Sequence, residues 1–268
     1  MKDEDIDEIP KGKAPEIVPE KLTAPINYKI IAGIIIGIFA IQAIITYSEE
    51  EPTALIYILS MGVPLIVGIL SLVTGKRYKG MLVYGRAYTA LGIAFLGLFG
   101  GELTYLIYEE YLELDPYPSI GDLFFFLLYV FTIMYLVIHI RFFSTKIANI
   151  DKLWMIAIPI GITAIYWMIS FPILEGFNFD FYYGIVFVAA ISSTLSLAVY
   201  GIRIFQASLT GIPWIILSIG ILLFTLGDTW YYTLELYEGY ELVHPVNLLW
   251  YAGYFIMIYA LTLRRKVL

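Results

Sequence analysis

The sequence has no cysteine and little charge. Without a thiol, the chain cannot form a disulfide, carry a sulfur-linked lipid or use thiolate catalysis. Only 15% of its 268 residues are charged, and 23 acidic residues outnumber 16 basic ones, which gives a net charge of −7. This balance argues against a nucleic-acid partner, because affinity for nucleic acid depends on neutralising phosphates. The phosphate-binding, dinucleotide-binding and serine-nucleophile motifs are also absent, so no enzymatic activity is indicated.

Hydrophobic residues make up 60% of the sequence and occur in runs of about 20 residues between short polar segments. An α-helix needs about this length to cross the hydrocarbon core of a bilayer. The sequence therefore predicts an all-α integral membrane protein with eight transmembrane helices. Their expected bounds are 28–47, 53–74, 81–111, 121–142, 153–174, 181–205, 211–237 and 246–263.

The longest polar segment lies before the first predicted span. Residues 1–27 are rich in charge, contain four prolines and have no apolar periodicity. Such a segment cannot bury enough apolar surface to fold on its own. We therefore expect a disordered cytoplasmic tail over residues 1–27, followed by a single membrane domain over residues 28–268.

Lysine and arginine are distributed unequally among the loops. They follow the even-numbered spans: Lys76, Arg77, Lys79, Arg141, Lys146, Lys152, Arg203, Arg264, Arg265 and Lys266. The alternate connections have no lysine or arginine and carry acids instead: Glu49, Glu50, Glu51, Glu109, Glu110, Glu113, Asp115, Glu175, Asp180, Glu235, Glu238 and Glu241. Because basic loops stay in the cytoplasm, both ends of the chain are expected there, in a multi-pass protein of the cell membrane.

Two parts of the chain resemble each other. Residues 101–111 and residues 227–237 share the string Gly-acid-x-x-Tyr-x-x-x-Glu-x-Tyr. After a gap of one residue, the segment that begins at Asp122 matches the segment that begins at Asn247. Most of the matching positions are polar or glycine, so general hydrophobicity does not account for the match. The pattern favours an internal duplication.

The predicted spans agree with a duplication. Residues 28–142 contain four spans and residues 153–263 contain another four. Because four is an even number, the two halves insert in the same direction. The predicted fold is thus two parallel four-helix repeats, related by an axis along the membrane normal, as in some transporters.

The repeated segments also resemble a known membrane module. The residues that carry the resemblance are Gly101-Glu102, Glu109 and Pro116-Tyr117-Pro118-Ser119-Ile120-Gly121-Asp122-Leu123-Phe124, with their echo ending at Asn247-Leu248-Leu249-Trp250-Tyr251-Ala252-Gly253-Tyr254. They are similar to multi-helix membrane input modules found N-terminal to diguanylate cyclase domains. The resemblance covers most of residues 81–142 and 211–263, and it implies a sensory role in signalling. The chain is expected to be such a sensor module without an output domain.

Glu102 and Asp228 are candidate site residues, because they occupy equivalent places on the third and seventh spans. At 1.5 Å per residue, both lie roughly 20–25 Å from the cytoplasmic end, within the outer leaflet. An acid at this depth usually faces a bundle interior or a wet cavity. The helical period adds two further pairs above them, Tyr105 with Glu109 and Tyr231 with Glu235. We predict an outward-facing, acidic, aromatic-lined cavity. The alternative is that each acid only bonds a neighbouring helix.

Asp122 and Asn247 begin the fourth and eighth spans, after turn sequences that contain proline. If both side chains faced the predicted cavity, they would also be ligand-binding residues. The alternative interpretation is structural, because acids and amides at a helix start accept bonds from free backbone N–H groups.

The two histidines do not indicate a metal site. His139 lies near the cytoplasmic end of the fourth span, and His244 lies in a loop on the other side of the membrane. They cannot share a zinc ion, so a zinc hydrolase is disfavoured. The sequence names neither a metal nor a cofactor.

The leading hypothesis is a non-enzymatic membrane protein that binds a small ligand or a membrane-protein partner from outside, in a sensory role. A transporter or channel for a cation or small solute is the first alternative, because buried acids and parallel repeats occur in such proteins. A structural subunit of a larger membrane complex is the second. The lipid bilayer is the partner that the composition itself requires.

Overall fold

The computed structural model describes residues 26–48, 53–81, 83–144, 146–206, 211–237, 239–241 and 243–265. In these ranges all regular secondary structure is helical. The tail predicted over residues 1–27 lies almost wholly outside the described residues, as do acidic residues 49–51 and 238 and the basic residue 266.

The described chain contains eight main helices. We number them α1 (Tyr28–Tyr47), α2 (Ala54–Arg77), α3 (Tyr84–Tyr111), α4 (Ile120–Phe143), α5 (Asn149–Ile173), α6 (Phe179–Gln206), α7 (Ile212–Glu235) and α8 (Asn247–Arg265). Helices α1 to α7 are each long and apolar enough to cross a bilayer. The prediction of a multi-pass, all-α membrane protein is confirmed. The apolar part of α8, Asn247–Leu263, is shorter, so an eighth crossing stays a prediction.

The predicted bounds agree with the helices to within a few residues. The largest difference is at the start of α5, which begins at Asn149, four residues before the predicted start. Its first turn contains Asp151, which forms an ion pair with Arg203 of α6. This ion pair stabilises the extra turn. The sequence prediction missed the turn because it is polar, and spans were predicted from apolar runs.

Helix starts and turns follow local sequence. Ser119 caps α4, its hydroxyl accepting from the Gly121 N–H, while Asp122 accepts from the Ser119 N–H. This reciprocal pair is a capping box. Gly80 has φ of 101° in the turn between α2 and α3, a conformation that glycine adopts without steric cost.

Two π-helical turns interrupt α2 and α3. The first spans Ile58–Gly62 in α2, and the second spans Ile107–Tyr111 at the end of α3. A π-turn displaces the side chains after it from the regular helical register, and such turns are frequent at functional sites. Residues of both helices near these turns line the internal cavity of the protein, so the turns bear directly on its shape.

Six helices form a closed ring. Around the ring, α2 contacts α3, α3 contacts α4, α4 contacts α6, α6 contacts α7, α7 contacts α8, and α8 returns to α2. Helix α1 packs outside the ring against α8, and α5 packs outside against α6. At the contact of α7 with α8, a Cβ added to Gly253 would lie 2.7 Å from the Gly220 carbonyl oxygen. Small residues permit this close approach of two membrane helices.

Packed aromatic residues fill one end of the ring. This aromatic layer consists of Tyr84, Tyr135, His139, Phe205 and Trp214, all buried. The ring centroids of Tyr84 and Trp214 are 5.7 Å apart in a stacked arrangement, and those of Tyr135 and His139 are 4.5 Å apart. The layer lies where α3 and α7 begin and where α4 and α6 end. The opposite half of the ring therefore contains the space that remains open.

Candidate functional site

A cavity of about 460 Å³ lies inside this other half of the ring. Its walls come from α2, α3, α4, α6, α7 and α8 and from the connection before α8. Seven of the eight residues that the sequence singled out line it: Glu102, Tyr105, Glu109, Asp228, Tyr231, Glu235 and Asn247. The structure thus brings together acids and aromatics that are more than 100 residues apart in the chain.

Asp228 is the most buried acid of the cavity wall, with 8% of its surface exposed. Its Oδ1 atom accepts a hydrogen bond of 2.9 Å from the Trp250 indole N–H. Its Oδ2 atom is buried and has no hydrogen-bond partner among the described residues. The Tyr129 hydroxyl lies close enough to the same carboxyl to stabilise its charge, although it is not at hydrogen-bond distance from Oδ2. An acceptor buried in this way lacks the compensation that such groups normally have.

Glu102 lies on α3, in the position that corresponds to Asp228 on α7. It is only partly buried, because it faces the cavity. Ser60, in the π-turn of α2, contacts the Glu102 carboxyl. Tyr251 and Tyr254 of α8 lie close enough to interact with it electrostatically. Helices from both halves of the chain therefore surround this acid.

Most of the cavity wall is aromatic, and the sequence had indicated only part of it. Besides Tyr105 and Tyr231, the wall includes Tyr57, Phe125, Tyr129, Tyr183, Phe187, Phe224, Tyr232, Tyr240, Trp250, Tyr251 and Tyr254. Trp250 could have been found from the repeat, because it follows Asn247 at the spacing at which Phe125 follows Asp122. Ser60 and Tyr183 had no such signal, since α2 and α6 carry no motif that marks them.

Asp122 does not line the cavity, and its geometry matches the structural interpretation. Its Oδ2 accepts from the Ser119 N–H at 2.6 Å, as part of the capping box. Its Oδ1 accepts from the Tyr105 hydroxyl at 2.6 Å and from the Tyr183 hydroxyl at 2.8 Å. Asp122 therefore caps α4 and orients two tyrosines that do line the cavity.

Asn247, the counterpart of Asp122, lies in the cavity wall and is 2% exposed. Its Oδ1 accepts a hydrogen bond of 3.2 Å from the Tyr240 hydroxyl. Burial, together with the smaller effects of Tyr251 and Glu102, raises the pKa of the Tyr240 phenol well above its ordinary value. Tyr240 is therefore a neutral hydroxyl that donates to Asn247, and the bond joins the connection before α8 to the first residue of that helix.

All the charged side chains among the described residues of the cavity wall are acidic. Four carboxyl groups line it, those of Glu102, Glu109, Asp228 and Glu235, and none of the described lining residues is lysine, arginine or histidine. Within the described ranges, no three acidic or histidine side chains converge closely enough to hold a metal ion. The carboxyl groups are instead spread among aromatic rings.

Comparison with known proteins gives no relative: no protein-family model, curated protein or solved structure matches the chain. The resemblance to input modules of signalling proteins therefore identifies no family. The functional interpretation of the chain depends on the geometry of its cavity.

Proposed function

We propose that this multi-pass membrane protein binds a small ligand in the acidic, aromatic cavity and acts in sensing. The observation that carries the proposal is the cavity itself, which contains a deeply buried, incompletely bonded carboxyl and has a volume typical of small-molecule sites. Its wall offers polar groups for orientation and aromatic rings for contact area. A binding role without catalysis is proposed because the described lining residues are mostly aromatic side chains, which suit contact with a ligand.

The cavity is proposed to face the outside of the cell. It lies at the end of the ring near the acidic connections, next to Glu109 and Glu235. The basic residues Lys79, in the turn between α2 and α3, and Arg203, near the end of α6, lie toward the end that contains the aromatic layer. Because basic loops remain in the cytoplasm, this distribution supports an outward-facing cavity with both ends of the chain inside.

The two halves are proposed to be duplicated units. Equivalent glycines make equivalent contacts: a Cβ added to Gly101 would lie 2.6 Å from the Phe125 ring, and one added to Gly227 would lie 2.7 Å from the Trp250 ring. The order of contacts in the six-helix ring supports the same pseudo-symmetry. Helices α1 and α5 depart from it, since α1 packs on α8 whereas α5 packs on α6.

A transporter or channel for a cation or small solute is the second candidate function. The placement of the acids between two similar halves favours it, because transporters bind their substrates at such interfaces. This function would require the aromatic layer to open, since it fills the ring beyond the cavity. A receptor needs no such opening, so binding without transport is the first choice.

A ligand screen tests the proposed function. The purified chain would be unfolded by heat in lipid nanodiscs, with and without each compound of a small-molecule library, because a ligand of the folded state raises the midpoint. We expect at least one compound to stabilise the wild type and not the double variant Glu102→Gln, Asp228→Asn. The matched control replaces two exposed acids outside the cavity, Glu113→Gln with Glu175→Gln. Stabilisation that is equal in all three proteins would contradict binding in this cavity.

A further inference from the structure

We infer that the ligand of the cavity is an organic cation, with an ammonium group held between Asp228, Glu102 and the surrounding aromatic rings. This inference rests on the proposed function and adds the chemical class of the ligand. Three features of the described cavity support it: an incompletely bonded buried acid, the excess of negative over positive groups, and an arrangement of rings suited to a cation.

The first feature is the Asp228 carboxyl. Its Oδ1 is bonded to Trp250, whereas its Oδ2 is buried at the cavity wall without a hydrogen-bond partner in the described part of the chain. Burying an acceptor or a charge without a partner is costly, and a carboxyl at membrane depth usually has a counter-charge or water. Oδ2 itself has no surface open to the cavity, but Asp228 lines the cavity, so a positive charge placed there would supply the counter-charge that this carboxyl lacks.

The second feature is the charge of the whole wall. Glu102, Glu109 and Glu235 add three more carboxyls, and the described lining residues include no base to neutralise them. In a low-dielectric site, opposite charges attract strongly, so this wall favours a cation and repels an anion. An anionic or zwitterionic ligand would have to place its negative group against these acids.

The third feature is the set of rings around Asp228. Tyr231, Tyr240 and Trp250 form a mutually contacting group, with centroid distances of 5.0 Å for Tyr231 to Tyr240, 5.5 Å for Tyr231 to Trp250 and 5.9 Å for Tyr240 to Trp250. Tyr254 also lies near the same acid. Tyrosine and tryptophan bind quaternary ammonium through the negative faces of their rings, so the faces of this packed group that are turned to the cavity can contact a cation.

A metal ion fits the cavity less well than an organic cation. Calcium takes six to eight oxygen ligands at close range, and magnesium requires a near-octahedral set. The described carboxyls do not converge in that way, and most of the wall between them is aromatic. A cavity of about 460 Å³ has room for a cation with several carbon substituents.

The test compares cations with an uncharged molecule of the same shape. The full chain in phosphatidylglycerol nanodiscs, whose lipid has no ammonium group, is titrated with choline, tetraethylammonium, benzyltrimethylammonium and 3,3-dimethyl-1-butanol, the carbon isostere of choline. Tryptophan fluorescence and the thermal midpoint report binding, since Trp250 lies in the cavity wall. We expect saturable binding of at least one cation, with at least tenfold weaker binding of the isostere relative to choline.

Variants locate the effect. Asp228→Asn and Glu102→Gln are expected to weaken cation binding at least tenfold, and the control Glu113→Gln is expected to leave it unchanged. Repeating the titration in nanodiscs that contain phosphatidylcholine separates two sources of the same chemistry. If phosphatidylcholine competes with the added cation, its headgroup is the source of the ammonium. If it does not compete, the ligand is a free cation.

Four results would overturn the inference. Equal affinity for choline and its isostere is the result expected if protonation, and not a ligand, neutralises the acids. Cation binding that survives both carboxyl variants would place the cation elsewhere. If no cation binds while a neutral library compound binds in the cavity, the cation class is wrong and the proposed function stands. If nothing in the library binds either, both fail.

Discussion

Trp250 and Asp228 join α8 to α7 in the wall of the cavity. The indole N–H satisfies one carboxyl oxygen, and the ring packs against Gly227, where no side chain larger than hydrogen would fit without a shift. The equivalent contact in the first half is between Phe125 and Gly101, and phenylalanine cannot donate to Glu102. The two contacts thus share the same packing and differ in hydrogen bonding.

Trp250→Phe keeps the packing and removes the donor. We expect it to lower the free energy of unfolding by about 1–3 kcal/mol, because the Oδ1 atom of the buried Asp228 carboxyl loses the hydrogen bond from the indole. The unfolding midpoint of the purified variant in mild detergent measures the effect. The control is Trp167→Phe, on the outer face of α5, where the side chain is half exposed. Equal midpoints for the two variants would show that the Trp250 bond contributes no stability.

At the scale of the elements, Asp122 links three helices. It caps α4, and it accepts hydrogen bonds from the hydroxyl groups of Tyr105 of α3 and Tyr183 of α6. Because Asp122 is buried and accepts these hydrogen bonds, it makes more contacts than a capping residue at an exposed helix start. The contacts hold two cavity tyrosines in place, so the acid affects the cavity through its neighbours.

Asp122→Ala should destabilise the protein by about 3 kcal/mol, since it removes the cap and leaves two tyrosine hydroxyls without their acceptor. Asp122→Asn keeps an acceptor oxygen, as at Asn247, and should cost less. The control is Asp115→Ala, in an exposed turn where the acid accepts a hydrogen bond from the Tyr117 N–H. Unfolding midpoints of the three variants provide the measurement, and a loss at Asp115 equal to that at Asp122 would contradict the linking role.

The transmembrane helices could be predicted because the length of an apolar run can be counted directly in the local sequence. All seven long helices fall where runs of about 20 apolar residues occur. Glu102 and Asp228 could be recognised because an acid inside such a run is unusual. Ser60 and Tyr183 could not, because hydroxyl residues are common in membrane helices and only the packing of α2 and α6 in the ring brings them to the cavity.

At the scale of the whole molecule, the ring is asymmetric along its axis. Aromatic packing fills one end, and the acidic cavity occupies the other. The described basic residues lie toward the filled end. This arrangement agrees with the proposed outward-facing binding site.

Orientation can be tested with single cysteines, which the natural sequence lacks. A cysteine at Glu241, in the connection before α8, should react with a membrane-impermeant maleimide in intact cells. A cysteine at Lys79, in the turn between α2 and α3, should react only after the cells are lysed. Both positions are exposed, so accessibility to the reagent differs only by the side of the membrane. Labelling of Lys79→Cys in intact cells would reverse the orientation and turn the cavity toward the cytoplasm.

The most direct measurement is an experimental density map of the full chain in lipid nanodiscs, determined with a saturating ligand from the screen. We predict non-protein density in contact with Asp228, Glu102 and the rings of Tyr231 and Trp250, and loss of that density in the Asp228→Asn, Glu102→Gln variant. A cavity filled by the protein's own side chains, with the ligand bound elsewhere or absent, would contradict the proposed binding site.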